Sequence, residues 1–592
     1  MSSKSFLLRH HLFIFILPLV ILIVTFLFRA ASGPFWLYAD PSYNYLFNAF
    51  QIVKGHPPTD FTHPGTPLQI LIAIIIWLFN LGRPATLAVD RVLIDPEFYL
   101  QTVFLFLVIV SFLTSVILGA YVYHKTKDKL AVLLVQLMGA AFLILPSFDN
   151  GNFPVLPVVA NVSPEHFFII IMNIFNLFLI KLYFSKDRPD KLGNIVILAA
   201  ICGLGLAIKL NFLFVFLSAL IVIPKLQKPV FIILSAMSFA FCTLPIIGEY
   251  PQFFQWIIDM VDHSAKYGTG VQKIIDWKSF FIYIDILMCS YWFFIFSALS
   301  LCIWGSVRIF KGDQDRKVRF IWALCFCALL HFAATAKHFS LHYLVPCFGL
   351  FSPTFLLFYF YQKDKLSSFK LLTAVFILIF IAVSTCYSIP YYKKLLVLSQ
   401  DIRDLKARVS TKYPECVLIP STTGNRELFF NKEEALHRAD GYTFRMESED
   451  LLRLYPQSYY FYSEEYSSSD PNVESYGIWN FKQRVFADDI ISTCPCAILI
   501  KYISNMSPYP YQVRLLDHSK YLNAFLLVNS TEKEATELFS QTFDFFDRGD
   551  YQQALVLALK SKQLNYEPGN QLDYMLSKIY ADLLKSRNLN KP

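Results

Sequence analysis

Apolar runs of about 18 to 25 residues recur from Leu7 to Pro390, and each is long enough to cross roughly 30 Å of hydrocarbon as a helix. A soluble core has no room for so much apolar surface. The composition agrees: 55% of the 592 residues are hydrophobic, with 59 Phe and 33 Tyr. Charged residues make up 16%, below the roughly 25% of ordinary soluble domains. After Pro390 the long runs stop and charge density rises. The chain therefore reads as a membrane domain over 1–392 followed by a polar region. The net charge of +8 falls mostly in short loops between apolar runs. That pattern orients a membrane protein and gives no sign of nucleic-acid binding.

About eleven spans are expected, near 11–29, 100–123, 130–147, 166–183, 192–208, 210–224, 229–247, 279–306, 320–336, 343–361 and 371–390. The first reads as a retained anchor, because Ala30-Ala31-Ser32-Gly33 is a weak cleavage site. One more apolar run covers 67–82. If it does not cross and the N-terminus is inside, the inner segments hold about 19 Lys and Arg and the outer loops about 8, although the outer loops are longer. A crossing there would invert every later loop and reverse the bias. The run 67–82 is therefore read as lying in, or dipping into, the outer interface. An odd number of spans then leaves the polar region outside. The turn at Lys209-Leu210-Asn211 is very tight for two neighbouring spans.

The polar region divides again. Over 393–530 short apolar runs at 416–420, 497–500 and 525–528 read as strands between Tyr- and Ser-rich loops, which makes an α/β domain. From 531 to 592 the pattern turns helical. Phe545-Phe546-Asp547-Arg548-Gly549-Asp550-Tyr551, then Ala554, Leu555, Ala558 and Pro568, resembles a tetratricopeptide helical hairpin. Such a hairpin packs on the rest of its domain or offers a surface to a protein partner. Eight of the eleven cysteines lie in or beside apolar helices, and Cys416, Cys494 and Cys496 lie in the polar region. Cys494-Pro495-Cys496 is not a zinc pattern by itself, and no redox compartment is read from it.

Ionisable residues at a bilayer boundary are expensive unless they are paired or used, and here they gather on the outer side. The first outer loop carries Asp40, Tyr43 and Tyr45, then Asp60, His63, Pro64, Gly65, Thr66 and Pro67. The second presents Glu165 and His166 at the lip of a helix, and Lys209 sits at the next outer turn. The fourth carries His263, Lys266 and Tyr267, and the fifth Lys337, His338, His342 and Tyr343. Each has a plainer structural role open to it. Asp40 suits a helix start, and 63–67 suits a rigid turn. Glu165 suits a helix N-terminus, Lys209 can reach headgroups, and the fourth loop can simply be solvated. Asp285 can pair or line a cavity, His331 reads as a core histidine, and Asn173 and Asn176 read as bridges between helices. The joint placement of five motifs on one face is what favours a site.

These residues, over about 11–390, resemble the GT-C-fold membrane glycosyltransferases, among them the protein O-mannosyltransferases and aminoarabinose transferases. Asp40, in Asp40-Pro41-Ser42-Tyr43-Asn44-Tyr45, takes the place of the acid that follows the first span in that family. His63-Pro64-Gly65-Thr66-Pro67 stands for its Pro-rich element. Gly203-Leu204-Gly205-Leu206-Ala207-Ile208-Lys209 matches its Gly-Leu-Ala and Lys helix end, and His342-Tyr343-Leu344-Val345-Pro346 its Arg-Tyr-Leu-Leu-Pro helix start. The chain departs from the pattern in three places. Pro41 follows Asp40 where many relatives have a second acid, Pro-Gly-Thr-Pro replaces Pro-Pro, and His342 replaces Arg. This marks a divergent, bacterial branch.

The resemblance implies an inner-membrane glycosyltransferase that takes its sugar from a polyprenyl phosphate and passes it to a glycan, lipid or protein acceptor outside the cytoplasm. Asp40 would be the general base of an inverting displacement. Tyr43, Tyr45, Asp60, His63, Glu165, His166, His263 and Tyr267 would hold substrate. Lys209, Lys266, Lys337, His338 and His342 would neutralise the lipid phosphate. No cofactor is assumed, and a divalent metal stays open without a compact ligand set to hold it. Two other readings compete: a transporter or flippase for a lipid-linked sugar, and a non-catalytic assembly subunit.

Overall fold

The computed structural model describes residues 12–61, 65–137, 141, 158–184, 190–262, 274–313, 315–363, 365, 368–422, 429–462, 477–502, 511–519, 522–530, 532–548, 550–563 and 575–582. Among them, eight helices are long and apolar enough to cross a membrane: Phe13–Ala31, Pro96–Thr126, Pro164–Phe184, Lys225–Cys242, Trp277–Phe310, Arg316–Lys337, Leu341–Gln362 and Phe369–Lys412. The chain is an all-α membrane protein followed by a smaller α/β part. The expected span 192–208 lies within the 19-residue helix Asp190–Ile208, whereas the expected span 210–224 is the shorter helix Leu210–Val222, well below the roughly 20 residues of a full span. Of the expected span 130–147, only the helix Lys129–Gln136 and residues 137 and 141 are described. The 67–82 run is a 14-residue helix, Thr66–Phe79, about 21 Å long at 1.5 Å per residue and short of a crossing.

Contacts divide the chain into two compact units. One comprises Met1–Gly33 and Asn44–Leu396, the other Pro34–Tyr43 and Val397–Pro592. In the first unit the helix Leu341–Gln362 is the centre, 83% buried, with Pro164–Phe184 and Arg316–Lys337 each 61% buried around it. Lys225–Cys242 and Trp277–Phe310 are peripheral, and their Ile232, Ile233, Phe281 and Phe296 stay exposed, as lipid-facing side chains do. Apolar packing gains little between helices in hydrocarbon, so close approach and polar contacts hold them. Asn176 Nδ2 donates to the Gly349 carbonyl at 3.0 Å, and Asn173 Nδ2 to Thr114 Oγ1 at 3.2 Å. Ser352 Oγ donates to the Val135 carbonyl at 2.7 Å. These are the bridges expected of Asn173 and Asn176. His331 is buried and stacks on Phe214 with ring centroids 4.8 Å apart.

Loops that the charge bias assigns to the inner side meet one another. Asp128 accepts from Tyr359 Oη at 2.7 Å and lies 3.4 Å from Lys363 Nζ. Arg316 Nη2 donates to the Leu182 carbonyl at 2.9 Å.

The second unit is built on a seven-stranded sheet ordered β4-β3-β2-β1-β5-β7-β6. The strands are β1 Val417–Thr422, β2 Tyr460–Tyr462, β3 Gly477–Trp479, β4 Arg484–Val485, β5 Ala497–Tyr502, β6 Tyr511–His518 and β7 Leu522–Ser530. The central strand β1 runs parallel to β2 and β5, and the near-continuous apolar runs of β1 and β5 are what a parallel pair covered on both faces requires. Ile419, Phe461, Ile478, Leu499 and Leu527 form the core with Ala487 and Ile490 of the helix Ala487–Thr493. The strands expected at 416–420, 497–500 and 525–528 are β1, β5 and β7. Beyond the sheet, the helices Glu532–Asp547 and Tyr551–Gln563 pack Phe539, Ala554 and Ala558 against Met575, Leu576 and Ile579.

Cys416 and Cys496, 80 residues apart in sequence, are disulfide-bonded where β1 and β5 begin. Closing a loop of that length removes about 4 kcal/mol of unfolded-chain entropy. Alkylation of the unfolded, unreduced protein should therefore label nine cysteines, and reduction first should raise the count to eleven. Eleven labels without reduction would refute the pairing.

The helix Lys432–Tyr442 opens with a cap. Asn431 Oδ1 accepts from the Glu434 amide at 2.8 Å, and Glu434 Oε2 accepts from the Phe430 amide at 2.7 Å. Burial pushes the Glu434 carboxyl up to about 8, against the lowering effect of that Phe430 amide and of Lys406. A carboxyl whose pKa rises on folding keeps a proton that the unfolded chain gives up, so the fold loses stability as pH climbs from 4.5 to about 8. Glu434→Gln, which cannot ionise yet still accepts from Phe430, should flatten that decline in a melting series across this window. An unchanged slope would show that Glu434 does not titrate there.

Candidate functional site

The site is assembled where the ends of several membrane helices meet. Lys209 stands at the break between Leu192–Ile208 and Leu210–Val222. Its ammonium lies 2.6 Å from Glu165 Oε1, with side-chain exposures of 10% and 6%. A charge this secluded is tolerated because its partner is at contact distance; either one alone would pay the full desolvation. His342 Nε2 lies 3.7 Å from the same oxygen. Lys209 also sits over the Tyr343 ring, 4.5 Å from its centroid, where the ring's negative face adds attraction. Asp60 adds a further favourable charge to Lys209.

Backbone contacts hold these pieces in register. Asn211 Nδ2 donates to the Tyr343 carbonyl at 2.8 Å, which ties the break to the start of the Leu341–Gln362 helix. Ser340 Oγ and His342 Nδ1 lie 2.7 Å apart, which orients the imidazole. The Gly65 amide donates to the Ile208 carbonyl at 2.9 Å. Gly65 has φ +49°, and a Cβ there would run into the Tyr45 ring, so glycine is required on both counts. The Asp60 amide donates to Asn48 Oδ1 at 2.9 Å. His166 Nδ1 donates to the Asn161 carbonyl at 3.1 Å and is buried.

The structure thus brings together Tyr45, Asp60, Glu165, Lys209 and His342 of the expected site residues, with His166 one residue from Glu165. Asp40 and Tyr43 fall in the second unit, and the Tyr43 side chain is fully buried. Lys337 Nζ donates to the Val261 and Met260 carbonyls at 2.6 and 3.2 Å, and His338 Nε2 donates to Met260 at 3.0 Å. Those contacts satisfy the end of the helix Tyr250–Asp262. His63, His263, Lys266 and Tyr267 lie outside the described residues. Among the described residues, no three His, Cys, Asp or Glu side chains gather to hold a metal.

Sequence reasoning gave no role to Asn211, Ser340 or Tyr343 as partners of Lys209 and His342. Arg29 was also missed: it is buried in the last turn of the first span and donates to the Ala160 and Gly33 carbonyls. A lone cation ending an apolar run was the available signal.

The crystal structure of ArnT from Cupriavidus metallidurans in the apo state is similar to 89% of this chain and 99% of that one, with 13% identity and a TM-score of 0.44. No family model matches the chain, and no curated protein matches it.

Lys209→Met should leave Glu165 buried without its cation and cost about 3–5 kcal/mol of stability, while adding Glu165→Gln should recover most of the loss. Melting of the parent, both single variants and the double variant checks this. Additive single losses would mean that the two charges do not support each other.

Proposed function

We propose that the chain is a membrane glycosyltransferase that moves a sugar from a polyprenyl-phosphate carrier to an acceptor outside the cytoplasm. The observation that carries this reading is the meeting of Lys209, Glu165 and His342, from three separate helix ends, beside Asp60 and Gly65. The donor's phosphate is its one strongly charged part, and it travels at the height of the helix ends. A lysine held by a buried carboxylate and an aromatic face is preorganised to meet it. A protonated His342 adds a second cation, where Arg would have been charged permanently.

In the transfer, the acceptor oxygen forms a bond to the anomeric carbon as the bond from that carbon to the phosphate oxygen breaks. The lipid phosphate leaves with the electron pair as a stable anion, so cations suffice and no strong acid is needed. The hydroxyl proton passes to Asp40, whose role comes from the family resemblance. A carboxylate with an ordinary pKa near 4 is ionised at neutral pH. The Cys416–Cys496 disulfide supports an oxidising, extracytoplasmic setting for the second unit. The hairpin at 532–563 would serve acceptor or partner recognition.

One observation favours a transporter instead: the helix break at Lys209 is the kind of discontinuity that transporters use to bind substrate. A transporter relocates the donor without cleaving it. Purified protein is therefore incubated with polyprenyl-phosphate sugars together with the glycan, lipid and protein fraction of host envelopes, which carries the acceptor, and free polyprenyl phosphate is followed by mass spectrometry. Release by the parent, reduced on the order of 100-fold or more in Asp40→Asn, is the expected result. An intact donor with the parent would overturn the transferase reading, and equal release by Asp40→Asn would overturn the role of that residue.

A further inference from the structure

Residues 34–43 follow the first span, yet they group with Val397–Pro592. This short segment is not a solvated loop. Phe35, Leu37 and Ala39 are each 1% exposed. The turn Phe35–Tyr38 packs on the helix Lys432–Tyr442. The Leu37 carbonyl accepts from the Phe429 amide at 3.1 Å. Lys406 Nζ lies 5.1 Å from the Trp36 ring centroid and 5.9 Å from that of Phe430, and the charge of Glu433 attracts it. The gripping turn at 429–434 is itself fixed by the cap of Asn431 and Glu434.

We propose that the C-terminal unit is the positioning element for Asp40: Lys406 and the 429–434 turn clamp Phe35–Tyr38 and so fix the backbone from which the Asp40 carboxylate projects. This rests on the reading of Asp40 as the base. Lys406 and Trp36 are positioning residues; they act through the loop and touch no substrate. Chain order alone would assign the loop to the membrane part, and the soluble part would then be dispensable for the chemistry. A clamp makes it obligatory.

Deuterium exchange on the full-length protein in detergent, read on peptides covering 34–43 and 429–434, tests the clamp. Lys406→Ala and Trp36→Leu should speed exchange there by about tenfold or more, while β1 and β5 stay protected and Lys406→Arg behaves as the parent. Release of polyprenyl phosphate should fall with it on the order of 10- to 100-fold, with retention of the donor lipid unchanged, because misplacing a catalytic group slows the step without loosening binding. Trp36 is only half-buried, so Trp36→Leu removes its contact with Lys406 while the buried Phe35 and Leu37 stay, which guards against simple misfolding. Unchanged exchange in both variants would overturn the proposal, as would faster exchange with parental release. Full release by Asp40→Asn would instead sink the underlying reading, and that result is separate from the exchange data.

Discussion

A charge near the hydrocarbon of a bilayer persists only beside its counter-charge, and one end of the membrane unit is organised around one such pair. Lys209 and Glu165 lie 2.6 Å apart on different helix ends. Everything near them depends on that meeting. The Gly65 amide holds the Ile208 carbonyl just before Lys209, Asn211 holds the Tyr343 carbonyl just after it, and His342 approaches Glu165 from the start of another helix. The break at Lys209 makes this possible. A helix continuing through that point would satisfy its own backbone; ending it frees the Ile208 carbonyl for Gly65 and turns the Lys209 and Asn211 side chains toward neighbouring helices. A buried pair is seldom a source of stability in itself. Its retention here fits a site that must present a fixed cation to an anionic headgroup.

Much of the fold was legible before any coordinates. Hydropathy marks spans because hydrocarbon demands long apolar helices, so eight of the expected spans fall in long apolar helices, seven with small shifts in their ends and the last, 371–390, inside a helix that runs on to Lys412. The alternation of short apolar runs marked β1, β5 and β7 for the equally local reason that strands are short and apolar in a parallel core. Asn173 and Asn176 were legible because a polar amide in a span has few uses besides bridging. The helix after Lys209, Leu210–Val222, was read as a full span, since hydropathy does not register a chain that stops short.

What was not legible was pairing over long distances. Glu165 reads in sequence as an acid favoured by a helix dipole, and its partner lies 44 residues away. Cys416 and Cys496 are 80 residues apart, and the nearer Cys494 drew attention to the wrong spacing. Lys337 and His338 looked like free cations beside other site residues, yet their hydrogen bonds go to the end of a neighbouring helix. The grouping of 34–43 with the last third of the chain has no local signature at all, because its contacts join Leu37 and Trp36 to residues beyond 400.

The central claim is that the Lys209, Glu165 and His342 cluster receives a lipid phosphate. Native mass spectrometry of the gently purified protein, comparing the parent with His342→Ala and Asp40→Asn, tests it most directly, using undecaprenyl phosphate added to the detergent. The account predicts one retained polyprenyl phosphate per parent chain, equal retention by Asp40→Asn, and clearly weaker retention by His342→Ala. Retention of bulk phospholipid alone, identical in all three proteins, would contradict it.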